Sequence, residues 1–239
     1  MPHEGASKRR RKSSAANAAS ARSADPTREQ ILQEAAKLFR NQGYASTTLR
    51  QIASAIGIKA GSIYYHFTSK DELLGIILDA GIQVVADEVR NRIEALPPTA
   101  TYREKIAAGI EGHLHGLLHH GDFTSANIRV YGQIPQQARN KHRIIRRAYA
   151  DYWDKLFSDA SASGELRSDT SVAIIRLFVI GALNWTVEWY NPQRGSFKEF
   201  ANQIAGIVFD GILEHNEIGY MRHGGRINGA AKSESVLEE

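Results

Sequence analysis

TLRQIASAIGIKAGSIYYHF, residues 48–67, is the stretch on which the reading of this chain turns. Leu49, Ile52, Ala53 and Ile56 recur at i, i+3, i+4 and i+7, the spacing of one apolar helix face. Thr48 can accept from the first turn, and Gln51 stands three residues on to complete a capping box. Gly57 tolerates the left-handed conformation that ends helices. A second short helix follows with Ile63 and Phe67 facing inward, which leaves Lys59, Ala60, Gly61, Ser62, Tyr64, Tyr65 and His66 without core roles. Hydroxyls, a cation and a histidine on an exposed helix suit phosphate oxygens and base edges. Spacing alone also allows an ordinary helical hairpin.

The flanks narrow that choice. Thr27 and Gln30 form a second capping pair, opening a helix with Ile31, Ala35, Leu38 and Phe39 on one face that runs to about Gly43. Ser69 and Glu72 form a third, opening a long helix to Leu96. Three such pairs outline a compact three-helix unit joined to a fourth helix.

Residues 27–75, TREQILQEAAKLFRNQGYASTTLRQIASAIGIKAGSIYYHFTSKDELLG, resemble the DNA-binding domain of the tetracycline-repressor (TetR) family of bacterial transcription regulators. The glycine-aromatic pair before TT, the IA…IG turn, and YYHF followed by SK and an acidic residue occur together and in order. The resemblance implies an all-α homodimer that reads a pseudo-palindromic double-stranded operator, usually to repress by steric blocking, in a bacterial cytoplasm at the nucleoid. It puts base-edge contacts on Arg50, Lys59, Ala60, Gly61 and Tyr64, and phosphate contacts on Tyr44, Thr48, Ser62, Tyr65, His66 and Lys70. Family members often start the recognition helix with a serine cap followed by lysine; here Lys59 and Ala60 stand there, and Lys59 has no acceptor with which to cap. Small residues at the leading end of that helix let its backbone approach a groove.

Composition bounds the rest. A chain of 239 residues accommodates a headpiece and a larger helical domain. No window holds the roughly 18 apolar residues of a membrane span, and the basic N-terminus lacks the apolar run of a secretory signal. Zero cysteines exclude disulfides and thiol catalysis and fit a reducing cytoplasm. Residues 1–26 hold six of the 30 basic and two of the 26 acidic side chains, leaving 24 of each beyond. The whole net charge of +4 therefore sits in the arm. KRRRK on a Ser/Ala-rich segment without core residues predicts a disordered arm that adds phosphate contacts.

From Thr101 onward the pattern predicts helices over 102–120, 124–131, 136–163, 168–190 and 196–214. Residues 76–218 are expected to form an effector-binding and dimerisation domain, and 219–239 a loose tail. Val172 to Leu183 is apolar nearly all round, which predicts burial on more than one side. Phe197, Phe200, Ile204, Ile207 and Gly211 alternate three- and four-residue steps, a packing seam; by the resemblance, these two helices build the dimer. The stretch RRAYADYW…GELRSD…LFVIGALNWTVEWYNPQRGSF further resembles a subgroup associated with fatty-acid, acyl-CoA or steroid catabolism. The implied effector is an acyl-CoA, a fatty acid or another apolar ligand, with Phe123, Tyr149, Trp153 and Trp185 as apolar wall and Arg129 and Asn184 as polar anchors.

Two clusters fit blander roles. Arg139, Lys141, His142, Arg143, Arg146 and Arg147 read as a solvated basic face. Among His113, His115, His119 and His120, the pair 115/119 has metal-ligand spacing, but the others point elsewhere and no cysteine joins them, so neither metal nor cofactor is expected. An enzyme is disfavoured by the lack of a G-x-S-x-G elbow, a P-loop and a dinucleotide-binding glycine motif. A ligand-independent architectural DNA binder remains the alternative.

Overall fold

The computed structural model describes residues 26–167 and 169–210. The basic arm, the tail from 219 and Gly211 of the expected seam lie outside them, and only Pro26 of the arm is described. The described residues form nine α-helices, α1 Pro26–Gln42, α2 Leu49–Ala55, α3 Ala60–His66, α4 Lys70–Glu94, α5 Tyr102–His119, α6 Asp122–Val130, α7 Gln136–Ala162, α8 Val172–Trp185 and α9 Phe197–Asp210, and three 3₁₀ turns at Tyr131–Gln133, Thr186–Glu188 and Pro192–Arg194.

The expected capping chemistry holds for α2. The Thr48 side chain accepts from the Gln51 N–H, and the Gln51 side chain accepts from the Thr48 N–H at 2.8 Å. Gly57 has φ +74°, and the Gly57 and Ile58 N–H groups bond back to Ser54 and Ala53, closing α2 with a Schellman motif. The other two pairs behave differently. Helix α1 already begins at Pro26, so Thr27 lies within its first turn rather than ahead of it. At α4, Ser69 caps Glu72, but the Glu72 carboxylate reaches one residue further back, to the Thr68 N–H and hydroxyl at 2.6 Å. Two reciprocal pairs were not anticipated: Thr101–Glu104 before α5 and Ser196–Glu199 before α9. Helix α8 is capped by Ser171 and gives way to a 3₁₀ turn at Thr186, so it is shorter at both ends than the apolar pattern predicted.

Two cores divide the molecule. The first gathers Ile31, Ala35 and Phe39 of α1, Ile52 and Ala53 of α2, Ile63 of α3, and Leu73, Leu74, Ile77 and Leu78 of α4. It does not stop at residue 75. Ala126 and Val130 of α6, with Ile134 and Ala138 at the entry to α7, belong to the same cluster. The second core joins Val89 of α4, Ile106, Ile110 and Leu114 of α5, Trp153 and Phe157 of α7, Val179 and Leu183 of α8, and Ala201 and Ala205 of α9. Helix α4 runs through both.

Candidate DNA interface, dimer face and effector cavity

Helices α2 and α3 present an outer face with no acidic residue from Thr48 to Phe67. Arg50, Lys59, Gly61, Ser62, Tyr64 and Tyr65 are exposed on it, while Ile63 and Phe67 fill the core behind. Tyr65 is 87% exposed, an unusual state for a large ring with nothing to bind. Lys59 occupies the N-cap of α3 without a side-chain hydrogen bond, as its chemistry requires, so its ammonium is left toward solvent. Ala60 and His66 are half-buried, and the Thr48 hydroxyl is engaged in its cap.

Two expected phosphate contacts are drawn inward. Tyr44 is buried, its hydroxyl donates to Asp71, and its pKa is raised by burial and by that carboxylate. Lys70 donates to the carbonyls of Tyr44 and Thr47, both at 2.9 Å, and lies over the Tyr44 ring. The pair braces the α1–α2 turn against the start of α4.

At the opposite end, α8 buries only Val179 and Leu183 fully and leaves Ile174, Leu177, Phe178 and Trp185 exposed, with Leu177 and Phe178 at 63% and 68%. Ile207 of α9 is exposed as well, at 51%. The rest of the expected seam turns partly inward: Phe197 packs on His115 and His119, Phe200 on Trp189 and Tyr190, and Ile204 against the second core. The all-round apolar sequence of α8 predicted burial on more than one side, whereas within one chain only Val179 and Leu183 are fully buried.

A cavity of about 240 Å³ opens between α4, α5, α6, α7 and α8. Of the six residues expected there, Tyr149, Trp153 and Asn184 line it. The other three lie elsewhere. Phe123 packs against the first core, Arg129 is bound bidentately by Glu188 at 2.9 and 3.1 Å on the surface, and Trp185 points outward from α8. What periodicity missed is His113, the one polar side chain on the Ile106–Ile110–Leu117 face of α5. It is buried, its Nδ1 lies 2.7 Å from the Tyr149 hydroxyl and its Nε2 3.1 Å from Asn184 Oδ1. An amide oxygen only accepts, so Nε2 carries the proton and Nδ1 accepts from Tyr149. Next to this chain, the buried indole N–H of Trp153 neighbours the Tyr149 hydroxyl and interacts with it. The cavity therefore ends in a neutral polar cluster.

Burial pushes the His113 pKa down from 6.5 to about 4. Between those values the unfolded chain takes up a proton that the folded chain refuses, so stability rises with pH across this window and is lost as pH falls. The loss amounts to roughly 3 kcal/mol at about 1.4 kcal/mol per pKa unit. Urea unfolding from pH 7 to 4.5 is expected to show this slope in the wild type and a flatter one in His113→Gln; equal slopes would contradict it.

Helix α6 ties the cavity to the headpiece. Thr124, Asn127 and Ile128 face the cavity, while Ala126 and Val130 sit in the first core. Arg40 of α1 pairs with Asp122 at 2.7 Å. His142, expected on a solvated face, is instead buried between Asp79 of α4 at 2.7 Å and Asn127 of α6 at 3.1 Å. Of the remaining basic cluster, Arg146 lines the cavity and Arg147 pairs with Asp151. No helix of the described residues is long and apolar enough to cross a membrane.

Comparison with known proteins agrees with this architecture. Residues 31–75 match the domain described as bacterial regulatory proteins, tetR family, and residues 99–212 match the tetracyclin repressor-like C-terminal domain. A solved regulator of the TetR/AcrR family from Thermobifida fusca is 30% identical, with TM-score 0.58, covering 80% of this chain and 100% of that one. The transcriptional repressor KstR2 of Mycolicibacterium smegmatis is 27% identical over 200 residues, 78% of this chain and 91% of its own. AibR, solved in complex with isovaleryl coenzyme A and operator DNA, shares the fold at TM-score 0.68 and 22% identity, over 76% of this chain and 97% of that one.

Proposed function

Since the chain belongs to the TetR family of bacterial transcription regulators, we propose that it is a homodimeric repressor released from a pseudo-palindromic operator by a small acyl ligand. The observation that carries this reading is α6, whose one face lines the cavity while the other is part of the headpiece core. A ligand that displaces Asn127 or Thr124 necessarily displaces Ala126 and Val130 as well, because a helix moves as a unit. The headpiece then shifts relative to α8 and to the second subunit. Two half-sites on one duplex face tolerate little change in separation, so the ligand-bound state loses operator affinity. Ligand and DNA thus select different members of one ensemble, and each weakens the other by the same factor.

On the DNA side, the reading places Arg50, Lys59, Gly61 and Tyr64 at base edges and Thr48, Ser62, Tyr65 and His66 at phosphates, with Lys70 held inward by the Tyr44 and Thr47 carbonyls. Tyr44 contributes indirectly, by fixing the α1–α2 turn. The dimer is assigned to the exposed α8 face with Ile207, since an unpartnered apolar band of that kind marks an association surface.

The ligand class follows from size and polarity. About 240 Å³ lies below the range of roughly 300–1,000 Å³ usual for drug-sized ligands. That volume suits a short acyl chain better than a large ring system. The Trp153 indole N–H and the neutral His113–Tyr149–Asn184 chain beside it fit a carbonyl oxygen better than a charged group. Arg146 and Arg176 also line the cavity wall, Arg176 held by Asp154 at 2.6 Å, and give that wall the positive charge an anionic remainder such as a CoA moiety would meet. A panel of acyl-CoAs graded in chain length, scored by melting temperature and by release of bound operator, tests the assignment. Short acyl-CoAs are expected to raise the melting temperature and release DNA together; a panel in which none does either would contradict it.

A further inference from the structure

The histidines at the end of α5 group with a residue that their own spacing does not reveal. Glu88 of α4 projects between them. Its Oε2 lies 3.0 Å from His115 Nδ1 and its Oε1 3.4 Å from His120 Nε2, and one donor atom from each of the three residues falls within 4.8 Å of the other two. Ligand atoms around a tetrahedral zinc sit about 3.3 Å apart, from bonds of roughly 2.0–2.1 Å. Each histidine stands at about that spacing from one oxygen of the Glu88 carboxylate, which would bind through both oxygens.

We propose that Glu88, His115 and His120 form a Zn²⁺ site, with water as the fourth ligand, that clamps the middle of α4 to the end of α5. Two histidines and a carboxylate are a donor set zinc accepts.

Four features favour an ion there. First, His115 Nδ1 is buried 3.0 Å from the Glu88 carboxylate without the geometry of a hydrogen bond to it. Second, the two helices are in backbone contact on both sides of Glu88. A Cβ on Gly112 would meet the Glu88 carbonyl at 2.8 Å, and one on Gly116 would meet Val85 Cα at 2.8 Å. The ligands from α4 and α5 are therefore held at a fixed separation before any ion arrives. Third, His119 stacks on His115 at 4.6 Å and Phe197 closes edge-on at 5.6 Å, which fixes the His115 ring orientation. Fourth, His120 is the C-cap of α5, where the free carbonyls of the last turn favour a cation. Its side chain is 42% exposed and gives an entry path.

The neighbouring Arg92 is the main opposing charge, with its Nε 3.6 Å from Glu88 Oε2. Glu111 holds the same guanidinium at 2.9 Å and offsets it.

The test uses the tag-free, full-length protein, stripped with chelator and titrated with Zn²⁺ against a chromophoric competitor, and separately loaded with Co²⁺. One Zn²⁺ per chain is expected, with the visible bands of tetrahedral Co²⁺. His120→Ala and Glu88→Gln should each weaken Zn²⁺ binding by at least about 10–100-fold, the loss that removal of an outer-shell partner alone causes. His66→Ala should leave it unchanged. His120 is exposed enough that its removal should not cost the fold, and a melting curve without metal checks this. Equal Zn²⁺ affinity in wild type, His120→Ala and Glu88→Gln, or no tetrahedral Co²⁺ spectrum at saturation, would overturn the site. A failure here leaves the operator reading intact, because no DNA or effector contact uses these residues.

Discussion

Leu177→Glu is expected to yield a folded monomer with almost no operator affinity. Leu177 is 63% exposed in the isolated chain and has no role in either core. A carboxylate there meets water in the monomer and costs little, whereas in a dimer it would be buried in the apolar band with Phe178, Ile174 and Ile207. An unpaired buried charge of this kind is strongly destabilising. Losing the second headpiece removes the effective-concentration advantage of two linked half-site readers, about 10²–10⁴ in affinity. Sedimentation and operator titration on the same sample report both effects. Ile207→Glu should act in the same direction more weakly, as α9 exposes less of the band. A dimer that persists through Leu177→Glu would move the interface elsewhere.

Gly61→Leu is the second large effect, and it separates DNA contact from folding. A Cβ at position 61 meets no atom within 4 Å, and leucine is the better helix former, so the melting temperature should hold or rise. Against DNA the same side chain occupies the space where the α3 backbone must approach the groove. Overpacking a fitted contact costs about 1–3 kcal/mol per site. Doubled by symmetry, that is at least about a 30-fold loss of affinity at roughly 1.4 kcal/mol per tenfold. Unchanged affinity would mean that α3 does not enter the groove.

The residues that carried the fold in the sequence were those whose role is local. The Thr48–Gln51 cap, the Gly57 stop and the Ile63–Phe67 pair depend on neighbours three or four positions away, so periodicity and residue chemistry find them. The Thr27 and Ser69 pairs had the same letters but different geometry, because Pro26 sets the start of α1 and Thr68 competes for Glu72. What the sequence hid was the pairing between distant helices. Nothing near His142 announces Asp79, 63 residues away, and nothing near His115 announces Glu88 on another helix. The cavity divided along the same line. Tyr149 and Trp153 are one helical turn apart on the inward face of α7, whereas Arg129 and Trp185 have equally plausible chemistry but face outward. His113 was the exception that could have been found, as a lone polar residue on an otherwise apolar stripe.

The central claim is that two copies of this chain read one palindrome through α3. Selection of binding sites from a random duplex pool by the purified protein, at near-physiological salt, tests it most directly. The expected result is an enriched palindrome with half-sites about one helical turn apart or slightly more, whose enrichment disappears with Gly61→Leu and with Leu177→Glu. Retention of DNA without an enriched motif, at an affinity that only tracks salt, would contradict the claim and favour a nonspecific architectural binder.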